Sequence, residues 1–200
     1  MINIIKSGVG NIGSLIKVIN DLEYKYKIIT NPDEFTNTQK LILPGVGSFD
    51  SFINSLKNQN LFDKIIYLAK QQRYSILGIC VGMQSLFKTS EEGKLNGLDL
   101  VKGQCIKFNL NKLKVPHLGW NNVKFTQNNK IISNINNSNF YFAHSYHVTS
   151  IDKKHVVATT DHESNFPSII NFDRIYGVQF HPEKSYEQGK KIIKNFIEKC

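Results

Sequence analysis

Two kinds of apolar pattern alternate along the first half of the chain. Short unbroken runs occur at Ile2–Ile5, Tyr26–Thr30, Lys40–Leu43 and Ser75–Cys80. They are too short for stable helices and rich in Ile and Leu, so they predict buried strands. Between them, apolar residues recur every three or four positions. Asn11–Leu22 places Ile12, Leu15, Ile16, Ile19 and Leu22 on one helical face. Ser48, a good N-cap, precedes Phe49, Phe52, Ile53 and Leu56. Leu61–Gln72 turns Leu61, Phe62, Ile65, Ile66 and Ala69 inward. The order strand, helix, strand, strand, helix, helix, strand, helix predicts an α/β fold. Its core is a doubly wound, mostly parallel sheet flanked by helices. In such sheets the chemistry gathers at the carboxyl ends of the strands.

The second half is richer in β pattern. Val101–Phe108, Val123–Phe125, Phe140–Ala143, Val156–Thr160, Ser168–Phe172 and Ile175–Phe180 read as strands joined by short polar connections. Tyr186–Lys199 returns to helical spacing, and Ser185 with Gln188 predicts a capping box at its start. There is no internal repeat and no linker. The only biased stretches are Asn-rich loops near Asn128 and Asn136. One domain covering residues 1–200 is expected.

Composition narrows the classes. With 40% apolar and 20% charged residues, the 200-residue chain reads as a globular protein. No apolar run approaches the length of a membrane span, so no membrane partner is expected. The first residues read as a strand and not as a signal peptide. Three cysteines far apart, with no C-x-x-C, argue against a disulfide framework and for a cytoplasmic setting. The formal charge is +9, but the basic residues are scattered and only Arg73 and Arg174 are arginines. A docking surface for an acidic protein suits that charge better than nucleic acid.

The candidate chemistry starts at Ser75–Phe87. Gly78-Ile79-Cys80-Val81-Gly82 has the spacing of a strand–nucleophile–helix elbow, with Cys where hydrolases carry Ser. The elbow predicts an amphipathic helix after Cys80, whose first turn favours a thiolate. A buried inert thiol is the plainer alternative. Elbow hydrolases hold the oxyanion with two N–H groups, one after the nucleophile and one from a neighbouring strand's loop. Here Val81 would supply the first. Val46 or Gly47, in Pro44-Gly45-Val46-Gly47, would supply the second. A thiol nucleophile also needs a base and an orienting group. Of six histidines, His181 ends an apolar run and is followed by Pro182 and Glu183. A rigid turn there could hold the carboxylate against one ring nitrogen.

Two decoys are set aside. Gly8, Gly10 and Gly13 match G-x-G-x-x-G, but the next strand ends in Thr30-Asn31-Pro32, with Asp33 beyond the proline, so no dinucleotide cofactor is expected. His144-x-x-His147 sits in strand-like sequence without an H-E-x-x-H frame, so no metal is expected.

Taken together, Gly78–Gln84, Pro44–Gly47 and Gln179-Phe180-His181-Pro182-Glu183-Lys184-Ser185 resemble the class I glutamine amidotransferases. The chain is most similar to the branch that serves as glutaminase subunit of imidazole glycerol phosphate synthases. Gly8–Asn11, Ser90–Gly93, Val115–Asn121 and Tyr141–Tyr146 extend the likeness over nearly the whole chain. The resemblance implies that Cys80 is the nucleophile, His181 the acid–base and Glu183 its orienting carboxylate. It implies oxyanion donors at Gly47 and Val81. It also implies a glutamine pocket formed by Gln84 with the backbone of Ser145 and Tyr146. Trp120 and Lys184 fall near the interface with a (β/α)8-barrel cyclase subunit, the expected heterodimer partner and recipient of the ammonia. Lys6-Ser7, Ala143 and His147 depart from the histidine-pathway pattern. They leave open a sugar-aminating partner of surface-polysaccharide assembly. From another class, a non-catalytic regulatory binder is the alternative.

Overall fold

The computed structural model describes residues 1–8, 12–109, 111, 113–135 and 139–200. Gly10, Asn11 and Asn136 lie outside the described residues. The first half contains strands β1 (Ile2–Ile5), β2 (Tyr26–Ile29), β3 (Lys40–Gly45) and β4 (Ser75–Cys80). Helices α1 (Gly13–Asp21), α2 (Phe49–Asn58) and α3 (Phe62–Lys70) run between them, and α4 (Val81–Gln84) follows β4 directly. The second half supplies β5 (Thr89–Ser90), β6 (Gln104–Lys107), β7 (His117–Phe125), β8 (Asn139–His144) and β9 (Tyr146–Thr149). It continues with β10 (Val156–Asp161), β11 (Asn165–Phe172), β12 (Ile175–Val178) and α5 (Tyr186–Lys199).

Nine strands form one sheet in the order β2-β1-β3-β4-β12-β11-β10-β7-β8, and β5-β6-β9 form a smaller one. Pairing is parallel from β2 across to β12 and antiparallel from there outward. The α/β class read from the apolar pattern is therefore correct, with the parallel part confined to the half of the sheet from edge strand β2 to β12. The unbroken runs are explained by burial on both faces: Ile4, Ile42, Leu77 and Val178 are all fully buried.

The pairing that matters most is between β4 and β12, with Gly78 opposite Gly177 and Ile79 opposite Val178. On its other side β4 pairs with β3, with Gly45 opposite Cys80. Three parallel strands thus end together, and the segments carrying Val46, Cys80 and His181 leave the sheet at one edge.

Several expectations need correction. β3 continues through Pro44 and Gly45, which read as loop in the sequence. Pro44 is tolerated because β1 pairs with β3 only at Leu41 and Ile42, so the missing donor interrupts no ladder on that side. The helix after Cys80 is a single turn with all four residues buried, not an amphipathic helix. β6 is shorter than the run from Val101 to Phe108. β7 starts six residues earlier than its apolar end, because six cross-strand pairs with β8 hold Gly and Asn residues of low strand propensity. β11 begins before Pro167, which pairs opposite Thr159. The Ser185 capping box does not form, since its side chain makes no cap bond to α5. Among the described residues no helix is long and apolar enough to cross a membrane.

Candidate active site

At the elbow, Cys80 has φ 52° and ψ −114°, a left-handed conformation that L residues rarely adopt. Such a conformation costs about 1–3 kcal/mol and persists only when surrounding structure imposes it. The surroundings do impose it. A Cβ at Gly78 would lie 2.5 Å from Gly82 O, and one at Gly82 only 1.9 Å from Leu43 O. The flanking glycines let α4 fold back onto the ends of β3 and β4. Gly82→Ala is expected to destabilise the fold by about 3 kcal/mol, because backbone must move to admit the methyl group. A urea midpoint equal to that of the unsubstituted chain would contradict this account.

The imidazole comes from the segment after β12. His181 N donates to Tyr141 O at 2.8 Å. Ser185 Oγ donates to His181 O at 2.6 Å and accepts from Tyr141 N at 3.0 Å. The hydroxyl expected to cap α5 instead clamps the His181 turn to β8. Pro182–Lys184 forms one 3-10 turn, which brings Glu183 Oε1 to 2.8 Å from His181 Nδ1. The His181 ring also hydrogen-bonds with the Cys80 side chain. Burial alone would lower the pKa of His181. The hydrogen bonds to Cys80 and Glu183, with the negative charge both can carry, outweigh it and push the pKa up to about 10. The ring is thereby favoured as an imidazolium beside the sulfur.

One cavity of about 520 Å³ holds nearly all the expected site residues. Cys80, His181, Glu183, Val46, Gly47, Val81, Gln84, Ser145, Tyr146 and Lys184 line it. Val81 opens α4, so its N–H has no partner within the helix. Gly47 has φ 96°, which favours glycine and shapes the loop after β3. Gln84 Nε2 donates to Tyr146 O at 2.9 Å and to Gln179 Oε1 at 3.1 Å. Trp120 is not in the cavity. It is 47% exposed, stacked on Tyr186 at 5.2 Å and edge-on to Tyr141 at 6.1 Å. Lys184 lies over the same Tyr141 ring, with Nζ 5.7 Å from its centre.

Sequence reasoning passed over two residues. Gln179 is fully buried, and its Nε2 donates to Cys80 Sγ at 3.7 Å. The signal was its place two residues before His181 on the same strand run. Glu92 lines the cavity and accepts from Phe49 N at 2.8 Å at the start of α2. Burial raises its pKa, partly offset by that hydrogen bond. Nothing in the local pattern separates Glu92 from Glu91. Among the described residues no group of three His, Cys, Asp or Glu side chains is arranged to hold a metal ion. The arrangement can attack an acyl carbon with sulfur, donate a proton from His181, and hold an anion beside backbone amides.

The class of protein follows. The model of the class-I glutamine amidotransferase family matches residues 3–200. The chain belongs to that family. It is 47% identical to imidazole glycerol phosphate synthase subunit HisH 2 of Methanococcus maripaludis, over 100% of both chains. It is 44% identical to subunit HisH of Methanocaldococcus jannaschii, over 99% of each. A crystal structure of a glutamine amidotransferase shares the fold, with a TM-score of 0.77 at 13% identity, covering 99% of this chain and 98% of that one. The Trypanosoma brucei CTPS glutaminase domain with bound acivicin matches with a TM-score of 0.64 at 17% identity, covering 100% of this chain and 95% of its own.

Proposed function

We propose that residues 1–200 act as one glutamine amidotransferase domain, the glutaminase subunit of an imidazole glycerol phosphate synthase. The carrying observation is the meeting of Cys80, His181 and Glu183 in one cavity. Cys80 attacks the side-chain amide carbon of glutamine as a thiolate. Amides of Val81 and of the Val46–Gly47 loop hold the oxyanion, a donor of this kind being worth about 3 kcal/mol of barrier. His181 protonates the leaving nitrogen, and ammonia departs. The same ring then takes a proton from water, which hydrolyses the glutamyl thioester and frees glutamate and thiolate. Gln84, Ser145 and Tyr146 bind the substrate, and the Glu92 carboxylate faces its ammonium group.

Ammonia in bulk water is protonated and lost as a nucleophile, so it passes directly to a bound acceptor enzyme. That enzyme is a (β/α)8-barrel cyclase subunit, forming a heterodimer in the cytoplasm, where the three free cysteines stay reduced. Exposed Leu118 and Trp120 with Lys184 offer its docking rim.

The test is glutamate release by the purified chain with and without the cyclase subunit. Release with the cyclase, coupled to imidazole formation, is the expected result. No release under either condition would sink the reading. Release switched on only by a sugar-aminating enzyme would keep the chemistry and overturn the partner.

A further inference from the structure

A chain of hydrogen bonds outside the Cys–His–Glu group has one self-consistent set of directions, because backbone carbonyls anchor both ends. His144 Nδ1 lies 2.8 Å from Tyr146 O, and Asn121 Nδ2 lies 2.8 Å from Asp161 O. A carbonyl only accepts, so His144 carries its proton on Nδ1, and the Asn121 atom is the amide nitrogen. Between them His117 Nδ1 is 3.0 Å from His144 Nε2, and Asn121 Nδ2 is 3.1 Å from His117 Nε2. In the neutral ring His144 Nε2 accepts, so His117 Nδ1 donates to it. His117 Nε2 then accepts from Asn121. Both rings are buried. Burial, with His162 adding to it, brings His117 down to about 4; burial brings His144 down to about 3 although its hydrogen bond to Tyr146 O opposes the shift, so both are neutral near pH 7.

The inner end of this chain meets the cavity. Tyr146 O also accepts from Gln84 Nε2, so both its lone pairs are used. Gln84 Oε1 is buried and has no hydrogen-bond partner among the described residues. A buried acceptor left open in a cavity lining calls for a ligand N–H.

We propose that His117 and His144 are positioning residues: the chain from Asn121 fixes the His144 ring, whose Nδ1–H holds the Tyr146 carbonyl where it accepts from Gln84 Nε2, and this keeps Gln84 Oε1 free for an N–H of bound glutamine. This rests on the cavity being the glutamine pocket. The competing account is packing, since His117 stacks on Phe142 at 4.6 Å and His144 lies 5.2 Å from Phe166. Phenylalanine would satisfy packing. It would leave Tyr146 O short of a donor.

The test compares His144→Phe with His144→Asn in the complex with the cyclase subunit. His144→Phe should raise the KM for glutamine about tenfold while kcat changes less than about threefold. His144→Asn keeps an N–H near the Nδ1 position and should recover most of the affinity despite its smaller volume. The reverse order, with the phenylalanine variant near the original KM and the asparagine variant weaker, would overturn the proposal. A second readout needs no substitution and no substrate: nitrogen NMR of the 15N-histidine-labelled full chain should find both rings protonated at Nδ1 and bare at Nε2. An Nε2–H tautomer at either ring would equally overturn it. If the unsubstituted complex releases no glutamate, the glutaminase reading falls, and the tautomers still decide the relay.

Discussion

Cys80→Ala is expected to stop glutamate release from glutamine, by at least about 10⁴-fold, while added ammonium salts still support synthesis by the complex. The size of the loss follows from what remains. His181 and the backbone amides would still bind and polarise the amide. Among the described residues, however, no other thiol lines the cavity. The fold should survive, because alanine is no more strained than cysteine at φ 52° and the sulfur fills little volume. Ammonia-dependent synthesis bypasses the thioester and needs only the acceptor enzyme, so it separates loss of chemistry from loss of assembly. Glutamate release at an undiminished rate would remove Cys80 from the mechanism.

Glu183→Gln should lower kcat by about 10²–10⁴-fold and leave the KM for glutamine within about threefold. Glutamine keeps the shape of the side chain but loses its charge, and its amide nitrogen can face His181 Nδ1 donor to donor. The ring then loses one of the two partners that hold its pKa near 10. The sign follows directly. A lower folded-state pKa means that His181 sheds its proton at lower pH, so the alkaline limb of the kcat profile moves toward acid. Stability moves with it. A raised pKa contributes stability that is complete below the ordinary value of 6.5 and is lost as pH rises toward about 10. The variant should therefore lose stability near neutral pH, and its urea midpoint should vary less between pH 7 and 10. An unchanged kcat, or an alkaline limb that does not move, would take Glu183 out of its orienting role.

Much of this was legible from local patterns. Ile2–Ile5 and Tyr186–Lys199 were located to the residue, because unbroken apolar runs and helical periodicity are local signals. The elbow was legible because its geometry needs small residues at two set spacings, and Gly78 and Gly82 stand there. What failed locally failed for nonlocal reasons. Ser185 has the sequence of a helix cap, yet Tyr141 N and His181 O, from elsewhere in the chain, claim its hydroxyl. His117–Asn122 looks like a poor strand until β8 supplies its partners. Glu92 and Gln179 lie in stretches that carry the family resemblance, yet their own places in the site show only in what they face.

The amino-acid pattern alone determined the α/β class and the chemical identities of a thiol, an imidazole and a carboxylate. It also determined the tight turns that present them, since spacing and side-chain bulk act over a few residues. Only the tertiary structure decided that these groups form one site. Gln179 and Cys80 are 99 positions apart, and they touch because β12 pairs parallel to β4 in a register set by the whole sheet. Strand pairing is chosen by which faces can be buried together, and no short stretch of sequence contains that choice.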